Sequence, residues 1–405
     1  MFAACTRRRF VAGLLAVAPL AAFPGSVRAA EGPALRRGLV ILAAFPGLNR
    51  PIDKEFAVGR FRLLDGYVRR MSYGAVGLEH RFTDWLQLPD EIGSYAISPA
   101  NLEVDKSRVS RLVRDAVDAA GATEDFSAYD HVAIFLRAHF RDYGMVGLCG
   151  YPGMLGWSAG DVLKTRQGQV IPGGAAIFTS SAHLGTLFHD CAHIWGGVKN
   201  GKRVLPCLYD HDLQAQHPTR DAGWAEALIN MGFWDPMSCH FIAYRRPPPG
   251  ISSWTKLRLG WLPPGKVREV AAGQSAEILL GPLEDAASET LAIRLPLSER
   301  RYVLIENRQP IGLFDQELPG HGVLIMKADD NVSECRHGWS PVKLVDADPA
   351  QKYLNGAAFS LPGRDSYADA ENGFEIKLVE KAGMSYRLRI TRRAGENTSG
   401  GVRGA

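Results

Sequence analysis

After its first thirty residues the 405-residue sequence has no apolar run approaching the roughly 20 residues that cross a bilayer. It also has no block of Lys or Arg. Residues 1–29 contain Arg7, Arg8, Arg9 and Arg28 and no acidic side chain, so without them the formal charge falls from +4 to zero. A near-neutral chain with no basic run offers no electrostatic basis for nucleic acid or an anionic membrane as partner. Cysteines are few. Apart from Cys5 they are Cys149, Cys191, Cys207, Cys239 and Cys335, an odd set that allows two disulfides at most and leaves a thiol over, as a metal ligand or a buried free cysteine. There is no internal repeat, and the C-terminal part lacks the aromatic platform expected of a carbohydrate-binding adhesion protein.

What is present describes an ordinary globular chain: 46% hydrophobic and 22% charged residues exclude disorder and fibres and predict two or three domains. Arg7-Arg8-Arg9-Phe10 ahead of an apolar run ending in Val27-x-Ala29 predicts a twin-arginine export signal cleaved after Ala29. Pro19 and Pro24 interrupt that run, which is short for a membrane anchor. The expected mature protein is therefore exported, to the periplasm or beyond, with no stable membrane insertion.

Within residues 30–262, apolar runs at 37–47 and 129–140 predict buried strands, and Val109, Leu112, Val113, Ala116, Val117 and Ala120 mark one face of a helix over 107–120. Phe61, Leu64, Tyr67 and Val68 predict another helix, ending before Gly74. Strands alternating with helices predict an α/β domain. From residue 263 to 395 the texture becomes short β-branched runs separated by Gly, Pro, Asp or Asn, which predicts an all-β, sandwich-like domain after a linker at 262–265. Residues 396–405 read as a polar, disordered tail.

The chemistry is concentrated in Leu187–Gly197, "LFHDCAHIWGG". His189 and His193 stand four apart, on one face of a helix, a spacing that points two imidazoles at one metal ion. At about 100° per residue, position 191 faces away and position 190 lies to the side. Cys191 is thus expected in the core or a disulfide, and Asp190 is the candidate general base.

Further blocks follow: Leu205-Pro206-Cys207-Leu208-Tyr209-Asp210, then "FWDPMS" around Met237, then "SSWTKLRLGWLPP" from Ser252 to Pro264. Together with His189, His193 and Gly196 these resemble the immune-inhibitor-A family of metzincin-like metallopeptidases, whose pattern is H-E-x-x-H-x-x-G-L-P-D-x-Y-D, W-D-x-M and S-x-W-x-K-x-x-L-G-W. The resemblance, weaker elsewhere, covers most of the chain beyond residue 29. It implies a zincin-like domain, one catalytic zinc, a methionine turn at Met237 beneath the metal, and hydrolysis of peptide bonds in protein or peptide substrates. It also implies that Gly196 lets the chain turn out of the helix and return a third ligand.

The sequence departs from that pattern in three places. Asp190 replaces the glutamate, withdrawing the carboxylate by more than about 1 Å. Eight extra residues, "GVKNGKRV", precede Leu205, and the position six after His193 is Lys199, which cannot bind zinc when protonated. Cys207 stands where the family has an aspartate ligand. A thiolate ligates zinc well, but Cys207 in a disulfide with Cys191 or another cysteine is the competing expectation. Asp210 is the alternative third ligand, with His211 and Asp212 beside it. His240, three residues after Met237, is either a donor to an oxyanion or a solvent-facing loop residue. His183, His211 and His217 read as surface residues, and Glu306-Asn307-Arg308 as a structural ion pair. Asp329 and Asp330 read as a solvated turn, with calcium as the other role. The sequence predicts an exported zinc metallopeptidase-like protein; the alternative is a catalytically impaired homologue that acts as a binding or structural protein.

Overall fold

The computed structural model describes residues 33–97, 104–150, 157–158, 160–216 and 222–394. The predicted export signal, the polar tail, Cys5 and His217 lie outside the described residues. The architecture is mixed α/β, with strands predominating in the C-terminal part. In chain order the first part contains β1 (Ala34–Ala44), α1 (Lys54–Met71), β2 (Val76–Gln87), α2 (Lys106–Ala120), β3 (His131–Leu136), α3 (Phe140–Tyr143), β4 (Gly147–Cys149), β5 (Ala175–Thr179) and α4 (Leu184–Gly196). The short strands β6 (Val198–Lys199) and β7 (Lys202–Arg203) and helices α5 (His211–Gln216) and α6 (Ser253–Leu259) follow.

The first sheet has the order β2-β1-β3-β5-β4. Its first four strands run parallel and β4 runs antiparallel at the edge. The continuous apolar runs of β1 and β3 follow from burial on both faces. Leu39 and Ile41 of β1 pack with Val132 and Ile134 of β3 and with the apolar face of α2. Val40, Leu42 and Phe135 join α1 and α4 on the other face. The run at 129–140 is a shorter strand than its composition predicts. It ends at Leu136 and gives way to α3, where Gly144 has a positive φ of 104°.

The C-terminal part comprises β8 (Val267–Glu269), β9 (Ser275–Leu280), β10 (Ala292–Pro296), β11 (Arg301–Arg308), β12 (Gly322–Asp329), β13 (Val342–Leu344), β14 (Ser366–Asp369), β15 (Phe374–Ala382) and β16 (Ser385–Arg392). They form sheets ordered β13-β12-β11-β10-β8 and β14-β15-β16-β9. Ile293, Val303, Ile305 and Ile325 from one sheet share a core with Ile278, Ile376, Leu388 and Ile390 from the other. The alternate residues Tyr302, Leu304, Leu324 and Met326 enter the core that also contains α1 and α4. The largest core therefore crosses the predicted 262/263 boundary.

Buried charges reinforce that junction. Arg308 donates to Asp315 at 2.7 and 2.9 Å, to the Gly250 carbonyl at 2.9 Å and to the Trp234 carbonyl at 3.0 Å, with Glu306 at 3.3 Å. Lys256 donates to the Met71 carbonyl at 2.6 Å and pairs with Glu284 at 3.0 Å. The Glu306-Asn307-Arg308 block is thus structural, as its composition predicted. Replacing Arg308 by Met leaves Glu306 and Asp315 buried beside an apolar side chain, and removing one partner of a buried pair costs about 3–5 kcal/mol. Urea denaturation of Arg308→Met is expected to show an unfolding free energy lowered by that amount, and Arg308→Lys recovers only part of it because the planar fork is lost.

Candidate metal centre

Helix α4 is buried along nearly all its length, from Gly185 to Trp195. The His183 side chain caps it by accepting the Gly185 N–H at 3.0 Å, and its other ring nitrogen donates to the Arg246 carbonyl at 2.8 Å. His183 is therefore a buried cap, which corrects its expected surface position. Gly185 admits a second segment: a Cβ there would lie 1.7 Å from the His240 carbonyl oxygen. The turn carrying Met237 and His240 consequently lies directly on the first turn of α4.

His189 and His193 are committed at one ring nitrogen each. His189 Nδ1–H donates to the Pro236 carbonyl at 2.9 Å, and His193 Nδ1–H to the Leu205 carbonyl at 2.7 Å. Their Nε2 atoms then face each other at 3.0 Å, with Cys207 Sγ at 3.5 Å from His189 and 3.4 Å from His193. All three side chains are buried. Burial, above all, keeps both imidazoles well below the ordinary histidine pKa and therefore neutral. A thiol brings one hydrogen to two Nε2 acceptors, so the approach of the two nitrogens has no proton to justify it. A cation between the three donors removes the conflict. Among the described residues, His189, His193 and Cys207 are the group that can hold a metal ion.

Three features return Cys207 to this place. Gly197, with a φ of 66°, turns the chain out of α4. The eight inserted residues form the β6–β7 hairpin, whose tip is Asn200-Gly201 with φ values of 52° and 72°, the turn geometry that suits an Asn-Gly pair. The insertion leaves and comes back, and Val204 N–H closes it on the Gly197 carbonyl at 2.9 Å. Gly196, expected to make the turn, instead clears space, since a Cβ there would meet Leu205 Cβ at 2.9 Å. Lys199 sits exposed on the hairpin, away from the donors.

Around the donors, the Tyr209 ring stacks on His189 at 6.1 Å between centroids. Burial pushes the Cys207 thiol up to about 11, partly offset by Arg203. His240 is half-buried, its ring centroid 4.2 Å from that of His189, with Nδ1 at 3.1 Å from Thr186 Oγ1. Burial and then His183 lower its pKa to about 4. Asp190 is buried and its Oδ2 has no hydrogen-bond partner. Burial alone pushes its carboxyl well above the usual carboxylate range. Gly147 of β4 flanks it: a Cβ there would lie 2.8 Å from Asp190 Oδ2.

Several expectations are corrected. Asp210 is not a ligand: its carboxylate accepts the Asp212 and Leu213 N–H groups at 3.0 Å each and the Gly338 N–H at 2.9 Å. Burial opposes its ionisation, and those backbone donors nonetheless hold its pKa below the usual value. Asp212 pairs with Arg336 and His337, and His211 begins α5 with its ring against Tyr209. Among the described residues Cys191, Cys207, Cys239 and Cys335 are buried free thiols, so the expected pairing of Cys207 with Cys191 or another cysteine does not form. Cys207 faces the two histidines, Cys191 lies in the core, Cys239 donates to the Phe241 carbonyl at 3.0 Å, and Cys335 meets Ser340 Oγ at 3.3 Å. Asp329 holds Asn331 while Asp330 accepts from Arg258 and Tyr302, so the pair does not converge on a calcium site. The roles of Pro236, Leu205 and Tyr209 were not anticipated; only the Asn-Gly turn was legible as a signal.

No family model matches the chain, and no curated protein matches it. Metal analysis of the purified protein is expected to give a stoichiometry of about one ion per chain. His189→Ala, His193→Ala and Cys207→Ser are each expected to lose it, whereas Asp210→Asn retains it.

Proposed function

We propose that the chain is an exported, zinc-dependent metallopeptidase-like hydrolase of the immune-inhibitor-A type, with a zincin-like N-terminal part. The observation that carries the reading is the bare convergence of His189 Nε2, His193 Nε2 and Cys207 Sγ beside an unpartnered Asp190 carboxyl. Tetrahedral zinc at about 2.05 Å from nitrogen and 2.3 Å from sulfur sets its donors about 3.3 Å apart for two nitrogens and about 3.6 Å for nitrogen and sulfur. The separations here, 3.0, 3.4 and 3.5 Å, fit that triangle. Held by His189, His193 and Cys207, zinc would supply a Lewis acid with an open position, able to activate water and polarise a carbonyl.

The chain's own residues supply the rest. As a carboxylate, Asp190 would take the proton of the attacking water at Oδ2 and return it to the leaving amine; burial disfavours that form, and a cation held by the three donors would favour it. His240, positioned by Thr186, offers Nε2–H to the oxyanion. Strand β4 is the edge of its sheet among the described residues, so its outward N–H and C=O groups can pair with an extended peptide alongside the donors. That edge favours a protein or peptide substrate.

One observation favours the second reading, a homologue that keeps the metal without cleavage: the Asp190 carboxyl is buried with its Oδ2 unpartnered, and that burial disfavours the ionised form a base needs. The two readings separate in a casein assay. The wild type is expected to cleave, chelation to stop it and zinc to restore it. Asp190→Ala is expected to lose about 10²–10⁴-fold in kcat/KM, and His240→Ala about 10²–10³-fold, both with metal content unchanged. An inert wild type that gains cleavage as Asp190→Glu would establish the second reading.

A further inference from the structure

The metal donors lie in the N-terminal part, yet the loop that carries Cys207 is gripped from the C-terminal part. Residues 334–338, between β12 and β13, are hydrogen-bonded to residues 203–212. Glu334 accepts from Arg203 Nη2 at 2.8 and 2.9 Å and from Nε at 3.2 Å. The Cys335 carbonyl accepts the His211 N–H at 3.1 Å. Arg336 Nη1 donates to Asp212 Oδ1 at 3.1 Å, His337 N–H to Asp212 Oδ2 at 2.8 Å, and Gly338 N–H to Asp210 Oδ2 at 2.9 Å.

This arrangement needs an unusual backbone. His337 and Gly338 have φ values of 53° and 78°, and Arg336 pairs with Trp339 in a tight two-residue turn. The turn sends two successive N–H groups toward the two carboxylates, a small anion-binding concavity. A non-glycine residue at positive φ is costly and persists only where its surroundings impose it. On its other side the ligand loop is tied through the Leu208 N–H to the Met237 carbonyl at 2.8 Å and the Asp210 N–H to the Ala227 carbonyl at 2.8 Å. Cys207 thus lies between two anchors, and the C-terminal one also supplies the counter-charge to Arg203. That guanidinium is buried, four residues before Cys207, and its Nη1 has no partner. Without Glu334 its charge would stand near the metal ion uncompensated, where like charges repel most strongly in a low-dielectric interior.

We infer that the 334–338 loop is part of the metal centre, with Glu334 and Asp212 as positioning residues that hold Cys207 in ligating register and neutralise Arg203. The inference rests on the metal reading of His189, His193 and Cys207. It adds that ligation by Cys207 depends on the C-terminal part of the chain.

The test uses the full chain with residues 1–29 removed, comparing wild type, Glu334→Gln, Asp212→Ala and Asp212→Asn. Zinc affinity is measured by competition with a chromophoric chelator, and the thiolate-to-metal charge-transfer band is read after cobalt substitution. Loss of supporting contacts of this kind weakens metal affinity about 10–100-fold. Glu334→Gln and Asp212→Ala are expected to lose that much and to show a diminished thiolate band, while Asp212→Asn, which can still accept the His337 N–H, recovers part of both. A merely structural role would lower the unfolding temperature and leave the thiolate band intact. Wild-type affinity and an unchanged band in Glu334→Gln and Asp212→Ala would overturn the inference while leaving the metal reading standing. A wild type that binds neither zinc nor cobalt would overturn both. Glu334→Gln preserves side-chain size at a partly exposed position, so the comparison survives if Asp212→Ala fails to fold.

Discussion

Helix α4 presents His189 and His193 as neutral acceptors because the Nδ1 hydrogen of each is already committed, to Pro236 at 2.9 Å and to Leu205 at 2.7 Å. Those two carbonyls fix the ring orientations and leave the Nε2 lone pairs nowhere to point but at each other and at Cys207. The rest of the site is arranged to hold the carbonyls still. Leu205 is returned beneath His193 by the β6–β7 hairpin and fits there because Gly196 has no side chain. Pro236 is fixed by its neighbours: Asp235 accepts the Met237 N–H at 2.7 Å and the Ser252 N–H at 2.8 Å, and Arg308 holds the Trp234 carbonyl at 3.0 Å. The turn at Met237 therefore acts on the site chiefly through the carbonyl before Met237, while Met237 itself fills the core.

Through those anchors the three candidate metal donors depend on residues more than a hundred positions away. Arg308 belongs to β11, and the loop gripping Asp210 and Asp212 joins β12 to β13. The same strands bury Leu304, Leu324 and Met326 against α1 and α4. A sheet with apolar residues on both faces serves as the interior wall of two cores, which explains why β11 and β12 read as nearly unbroken apolar runs when a two-layer sandwich with a wet outer face would alternate. The C-terminal part is thus structurally continuous with the site, and its charges lie where a wrong substitution disturbs ligand geometry as well as folding.

Much of this was legible. Helix α2 announced itself by six apolar positions on one face, all of them buried, and the i, i+4 histidines converge as helical geometry requires. Cys191 lies in the core, where counting around the helix put it. What could not be read were contacts between residues distant in sequence. Asp210 looks like a ligand because acidic side chains near histidines often are, but three backbone N–H groups, one from Gly338, occupy it first. The cysteines suggested disulfides by number alone, whereas pairing requires proximity and orientation, which counting does not supply. The insertion looked like a disruption because its length was weighed without its turn. Asn200-Gly201 marks a hairpin, and a hairpin of any modest length returns the chain to where it left.

The buried acid at position 190 belongs to the same local geometry. Asp190 lies beneath β4, which approaches α4 closely at Gly147. Gly147 has no Cβ, and one placed there would stand 2.7 Å from Thr186, 2.8 Å from Asp190 Oδ2 and 3.0 Å from Phe178. Helix α4 and the edge strand therefore approach more closely than any side chain at 147 would permit. An extended peptide added to β4 would bring its backbone toward the carboxyl, and would also cover that carboxyl from water.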